Sequence, residues 1–96
     1  MTDRLALTCK ARVNEDVVFR DLEGEAVLLN LNTGVYFGLD PVGTRIWHLI
    51  QEHRSFREIR DALMGEYEVT KAQCEDDLLR FISLLQEREL IEVHPS

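Results

Sequence analysis

The chain has 96 residues, enough for one domain with a modest hydrophobic core and too few for two domains. Hydrophobic residues make up 45% and charged residues 30%, a composition typical of a folded protein, and no stretch approaches the roughly 20 apolar residues that cross a bilayer. The formal net charge of −7 argues against affinity for DNA phosphates or anionic membranes, because both favour a basic face.

Three β-strands are predicted in the N-terminal half. Residues 1–12 show no clear period, and we interpret them as an arm or a short irregular strand. Apolar, β-rich segments follow at residues 17–19, 26–31 and 35–39. The turns between them contain Gly24 and Gly34, and glycine tolerates the positive φ of tight hairpins. Two consecutive hairpins predict a three-stranded antiparallel meander.

Three helices are predicted after the meander. Asp40 is a good N-cap, and the proline after it suits the first helical position. A capping-box pattern begins at Ser55 and again at Thr70, each with Glu or Gln three residues later. The apolar face of the third helix comprises Cys74, Leu78, Phe81, Ile82 and Leu85. Residues 90–93 end the chain as a short extended piece, so the predicted fold class is α+β.

The sequence offers little that predicts catalysis. His48 and His53 are five residues apart, about 140° around a helix, so they do not form a metal-binding pair on one face. Cys74 falls on an apolar stripe, which suits a buried thiol better than a nucleophile. Cys9 and Cys74 form no CxxC pair, and residues 1–9 lack the features of a signal peptide. We therefore expect a cytoplasmic protein that is not an enzyme and has no metal or cofactor.

The third predicted strand is a candidate peptide-binding edge. In a meander this strand can lack a neighbour on one side, which leaves backbone N–H and C=O groups unpaired. Gly38 places no side chain in the way of an approaching backbone. The candidate strand residues are Val35, Tyr36, Phe37, Gly38 and Leu39. A peptide added there as a strand would gain main-chain hydrogen bonds, while side-chain pockets would provide specificity.

The third helix is predicted to provide the pocket, from one of two flanks. If its apolar stripe points at the core, Asp77, Arg80 and Leu84 line one flank. Glu75, Leu79 and Gln86 line the other. We favour the first flank, together with Phe81, because an apolar residue beside charged ones suits an amphipathic peptide.

An ordered set of segments resembles the PqqD family. The set begins with the hairpin LLNLNTGVYFGLD and continues with a helix that contains Gly43, Ile46 and Trp47. It continues through Ser55, Glu58-Ile59, Leu63 and Tyr67, and it ends with CEDDLLRFISLLQERELIEV. The resemblance covers residues 13–93, and the family often has glycine where this chain has Glu89.

The resemblance implies a RiPP recognition element with a winged helix-turn-helix-like fold that binds peptide instead of DNA. Such proteins bind the leader of a ribosomally made precursor peptide between the third strand and the third helix. They present it to a radical S-adenosylmethionine enzyme, a protease or a cyclase, in the synthesis of pyrroloquinoline quinone or of other modified peptides. We accordingly divide the chain into an arm at residues 1–12 and a peptide-recognition domain at residues 13–96.

Two alternatives remain open. A winged-helix DNA-binding protein would also have three short strands and three helices, with the third helix in the DNA groove. Residues 70–89 carry three basic and five acidic side chains, which opposes contact with phosphates. The other alternative is a subunit that dimerises through the same edge strand.

Overall fold

The computed structural model describes residues 7–52 and 54–95. In chain order the elements are β1 (Lys10–Val13), β2 (Val17–Leu22), β3 (Glu25–Asn30), β4 (Val35–Gly38), α1 (Pro41–Gln51), α2 (Phe56–Glu66), α3 (Lys71–Glu87) and β5 (Ile91–His94). The α+β class is confirmed, as is the antiparallel meander β2-β3-β4 that precedes the helices. Within the described ranges, no helix combines the length and apolar character needed to cross a membrane.

A second sheet, formed by β1 and β5, was not predicted. The two strands pair antiparallel, with Lys10 opposite His94 and Val13 opposite Ile91. Each strand has only four residues, and the partners stand near opposite ends of the chain, so no local pattern signals the pairing. β1 crosses the predicted boundary between residues 12 and 13, and that division stays a prediction. Residues 1–6 of the predicted arm lie outside the described residues.

The meander turns one face towards the helices. Ala26 and Leu28 of β3 are fully buried, while Val27 and Leu29 point to the opposite face. The Phe19 ring stands edge-on to Trp47 of α1, with the centroids 5.9 Å apart. Strand alternation therefore separates a packed inner face from an accessible outer face.

The helices begin at the predicted N-caps Asp40, Ser55 and Thr70. Ser55 forms the complete capping box. The box predicted at Thr70 is only half formed: its hydroxyl accepts the Gln73 N–H, but the Gln73 side chain donates to Asp77 instead. His53, which the sequence analysis compared with His48, lies outside the described residues.

Asn30 connects the β3–β4 turn to the end of α3. Its side chain is buried at 1% exposure. Its Oδ1 accepts hydrogen bonds from the N–H groups of Asn32 and Thr33, at 2.9 and 3.2 Å. Its Nδ2 donates to the Glu89 carbonyl oxygen at 3.1 Å. One side chain thus fixes the hairpin that carries β4 relative to the helix beside it.

The end of α3 has the hydrogen bonds of a Schellman motif. The Leu90 N–H donates to the Leu85 carbonyl and the Glu89 N–H to the Gln86 carbonyl. Glu89 has a φ of 60°, in the left-handed region that favours glycine. Glu89 therefore adopts this conformation at a cost that glycine would not have.

We expect Glu89→Gly to stabilise the protein by about 1 kcal/mol, because glycine adopts left-handed geometry without the clash of a Cβ. Urea unfolding of the two proteins measures the difference. Glu87→Gly is the matched control: Glu87 is helical, so the same change there should lower stability by about 0.5–1 kcal/mol. If both variants lost the same free energy of unfolding, the strain that we assign to the left-handed conformation of Glu89 would be contradicted.

Candidate functional site

β4 forms an open edge of the meander sheet. Within residues 7–52 and 54–95 it pairs with β3 alone, and Leu39, just beyond it, donates its N–H to the Ala26 carbonyl at 2.8 Å. Hydrogen-bonding direction alternates along an antiparallel strand, so Phe37 and Val35 also bond towards β3. Tyr36 and Gly38 therefore direct their N–H and C=O groups away from the sheet. The predicted vacant edge is confirmed.

A groove begins beside this edge, between β4, α1 and α3, and continues between α1, α2 and α3. Its first part encloses about 230 Å³ and is lined by Phe37, Gly38, Leu39, Asp40, Val42, Gly43, Ile46, Asp77 and Phe81. Its second part encloses about 210 Å³ and is lined by Val42, Ile46, Leu63, Tyr67, Val69, Cys74, Asp77 and Leu78. Both parts contain Val42, Ile46 and Asp77, so they adjoin. We call them together the β4–α3 groove.

Five of the predicted site residues lie at this groove: Phe37, Gly38, Leu39, Asp77 and Phe81. Asp77 and Phe81 are four residues apart on α3, so they share one face of the helix. Asp77 stands where the two parts of the groove meet. Of the three residues on the favoured flank of α3, Asp77 therefore lines the groove. Phe81, one helical turn further along, lines it too.

The other four predicted residues do not line the groove. Tyr36 is 69% exposed, and Val35 is also exposed. The Arg80 guanidinium pairs with Asp76 at 2.6 Å, and Leu84 is half-buried outside the lining. A peptide contact at any of these nine predicted positions stays a prediction.

The contribution of α1 to the groove was missed. Val42 and Ile46 have the helical spacing of a core stripe, but both line the groove, and Val42 is 42% exposed. Apolar residues serve a core and a groove equally well, so helical periodicity did not separate the two roles. Gly43 was the available signal, since a glycine inside a helix costs about 1 kcal/mol and often marks a close approach.

Gly43 permits contact between α1 and α3. A Cβ at this position would lie 3.2 Å from Cζ of Phe81 and 3.2 Å from Oδ1 of Asp40. Because no Cβ is present, the Phe81 ring packs against the helix backbone. The Asp40 oxygen is itself held by a 2.7 Å hydrogen bond from the Gly43 N–H. These contacts determine the width of the groove.

The charged side chains in the groove lining are acidic. Asp77 accepts hydrogen bonds from Gln73 Nε2 at 2.9 and 3.0 Å. Asp40 is the second carboxylate in the lining, and no lysine or arginine belongs to it. Glu75, on the other flank of α3, is held by the largely buried Arg60. The Arg88 guanidinium lies outside the lining but over the ring of Phe37, 5.7 Å from its centroid, so one cation stands beside this end of the groove. The two lining carboxylates favour a neutral or basic ligand around Asp40 and Asp77.

The position of Cys74 agrees with the expectation that it is a buried thiol and not a nucleophile. The side chain is buried, as predicted, and burial raises the pKa of its thiol above the ordinary value. A raised pKa disfavours the reactive thiolate at neutral pH. Across the described ranges, no three His, Cys, Asp or Glu side chains cluster in a way that would hold a metal ion.

The sequence profile described as coenzyme PQQ synthesis protein D (PqqD) matches residues 25–91. The chain belongs to the PqqD family. The predicted resemblance is thereby confirmed. Comparison with curated protein sequences found no match.

Two solved structures resemble this PqqD-family chain. "TbiB1 in Complex with the TbiA(beta) Leader Peptide" is 44% identical, with a TM-score of 0.82 over 84% of this chain and 94% of that one. "Lasso peptide synthetase B1 complexed with the leader peptide" is 22% identical, with a TM-score of 0.81 over 86% and 98% of the two chains. At 22% identity the second likeness concerns the fold.

The range matched to PqqD contains the whole groove. It begins at Glu25, the first residue of β3, and ends at Ile91, the first residue of β5. Every lining residue lies inside it, whereas β1 and β2 lie outside. The open edge and the groove are therefore built from the part of the chain that carries family membership.

Proposed function

We propose that this chain binds the leader segment of a ribosomally made precursor peptide and presents it to a separate modifying enzyme. The observation that carries the proposal is the open edge of β4 beside the apolar β4–α3 groove. TbiB1, which is 44% identical to this chain, was solved with a leader peptide. Its likeness supports the same class of ligand here.

The leader binds as an added strand. Tyr36 and Gly38 each offer an outward N–H and C=O, so up to four main-chain hydrogen bonds form at β4. Each contributes about 1 kcal/mol net, whereas ordering a peptide costs roughly 2–5 kcal/mol. The backbone alone therefore gives weak binding, and apolar side chains in the groove must provide the rest.

The alternation of a strand determines which leader residues enter the groove. Every second side chain faces Phe37 and Phe81, while the others lie on the outer side of the sheet. The groove-facing residues are expected to be apolar. Asp40 and Asp77 make acidic neighbours unfavourable, because like charges close to each other repel.

In this proposal the chain acts as a carrier without catalysis or cofactor. The enzyme that receives the leader is a radical S-adenosylmethionine enzyme, a protease or a cyclase, in a cytoplasmic pathway to pyrroloquinoline quinone or another modified peptide. A winged-helix-like arrangement would then use α3 against a peptide instead of DNA. The acidic run 75–77 at the start of that helix supports this use, since it would repel phosphates.

Titration of a fluorescent leader peptide tests the proposal. The probe is the leader of the precursor encoded beside this chain, with the TbiA(beta) leader as a second probe. We expect saturable one-to-one binding of the encoded leader that changes little between 50 and 200 mM salt. Duplex DNA is the comparison ligand. Retention on DNA that falls steeply with salt, without leader binding, would support the DNA-binding alternative and contradict ours.

We expect Phe81→Ala to weaken leader binding about tenfold, because its ring forms part of the groove wall and tenfold corresponds to about 1.4 kcal/mol of lost contact. Leu84→Ala is the matched control, since Leu84 is half-buried on the same helix but outside the lining. Fluorescence anisotropy measures both affinities. A larger loss for Leu84→Ala would place the leader further along α3 than we propose.

A further inference from the structure

We propose, on the basis of the function above, that the outer face of the meander sheet is the docking surface for the modifying enzyme, and that the bound leader forms part of it. We define the outer sheet face as Val18, Arg20, Leu22, Val27, Leu29 and Tyr36. Together with Phe19 they border a depression of about 380 Å³. This face is separate from the β4–α3 groove.

The outer sheet face is apolar across all three strands. Strand register puts Val18, Leu29 and Tyr36 in one row across β2, β3 and β4. Val18 is 47% exposed and Leu22 is 52% exposed. Adjacent exposed apolar side chains of this kind mark an interaction surface more often than isolated ones do.

The outer sheet face is continuous with the leader-binding edge. Tyr36 belongs to β4, where its outward backbone groups receive the leader while its side chain stands on the outer face. A leader added beside β4 becomes a fourth strand, and its outward side chains extend the row formed by Val18, Leu29 and Tyr36. An enzyme that docks there contacts carrier and leader together, and so distinguishes loaded from empty carrier.

The charges at this face select a basic partner. Glu23 and Glu25 are exposed at the β2–β3 turn, at one end of the face, and Arg20 is the one cation among the residues that define it. Opposite charges across an interface speed association and determine orientation. We therefore infer an enzyme surface with an apolar centre and lysine or arginine residues opposite Glu23 and Glu25.

A second copy of this chain fits the face poorly. The net charge of −7 makes two copies repel each other, and the acidic β2–β3 turn finds no basic counterpart in the six residues of the face apart from Arg20. Sedimentation at two concentrations tests this choice. A dimer that Val18→Lys/Leu22→Lys dissociates would assign the face to self-association and overturn our assignment.

The main test measures enzyme and leader binding separately. The probes are the purified modifying enzyme encoded beside this chain and the encoded leader peptide. Val18→Lys/Leu22→Lys changes two exposed residues on β2, at the sheet edge opposite β4. We expect this variant to bind the leader within twofold of the unaltered protein and to bind the enzyme at least about tenfold more weakly. We also expect the leader to raise the affinity of unaltered carrier for the enzyme.

Met64→Lys/Ser83→Lys is the matched control, because it adds the same charge at exposed positions on α2 and α3. It should bind the enzyme normally. Normal enzyme binding by the β2 variant, or an equal loss in the control, overturns the docking assignment while leaving the proposed function intact. Failure of the unaltered protein to bind leader would instead contradict the proposed function. Leader binding by each variant also shows that the variant folds.

Discussion

Gly38→Pro should weaken leader binding by about 10- to 100-fold. Proline removes the N–H that Gly38 directs away from the sheet, and its ring occupies the position that the incoming backbone needs. A factor of 10 to 100 corresponds to about 1.4–2.8 kcal/mol, the scale of one lost hydrogen bond plus a steric conflict. The fold should tolerate the change, because the lost N–H does not bond to β3 and proline is accepted on edge strands. Anisotropy titration gives the affinity.

Gly38→Ala is the control for this change. It keeps the N–H, and a Cβ at Gly38 meets no atom within 4 Å. Affinity within about threefold of the unaltered protein is expected. If alanine weakened binding as much as proline does, the added side chain and not the lost donor would be responsible, and the hydrogen bond that we assign to the Gly38 N–H would be contradicted.

Asn30→Ala should destabilise the protein by about 3 kcal/mol. The substitution removes three side-chain hydrogen bonds and leaves the N–H groups of Asn32 and Thr33 without their acceptor. For a domain of this size the unfolding midpoint should fall by roughly 10–20 °C. Thermal and urea unfolding, monitored by circular dichroism, measure the change.

Asn32→Ala provides the comparison, because Asn32 is exposed in the same turn and participates through its backbone. Its effect should stay within about 0.5 kcal/mol. A similar loss for both variants would mean that turn conformation, and not the buried amide of Asn30, stabilises the hairpin.

Local patterns in the sequence predicted most of the fold. Gly24 and Gly34 both have positive φ in the turns that delimit the meander, and Asp40, Ser55 and Thr70 each cap a helix. These features depend on neighbours a few residues away. The pairing of β1 with β5 depends on residues from opposite ends of the chain, and no local signal specifies it.

The candidate site was predicted in part. Strand order follows from consecutive hairpins, so the open edge of β4 could be predicted. Helical periodicity predicts which face of α3 packs on the core. It does not show which residues of α3 lie opposite the open edge of β4, because that depends on how the sheet packs against the helix. Phe81 was therefore placed both on the core stripe and among the candidate peptide contacts, and it does line the groove. Arg80 and Leu84 were placed beside the pocket, but they lie outside its lining.

The absence of a side chain at Gly43 has a consequence for selectivity. Phe81 reaches the α1 backbone only because position 43 has no Cβ. A methyl group there must displace both the ring and the Asp40 carboxylate by a few tenths of an ångström. If the proposed function is right, a substitution at position 43 should change the size of leader residue that the groove accepts and leave the hydrogen-bonding edge untouched, so proteins with this architecture could diverge in the precursors they recognise.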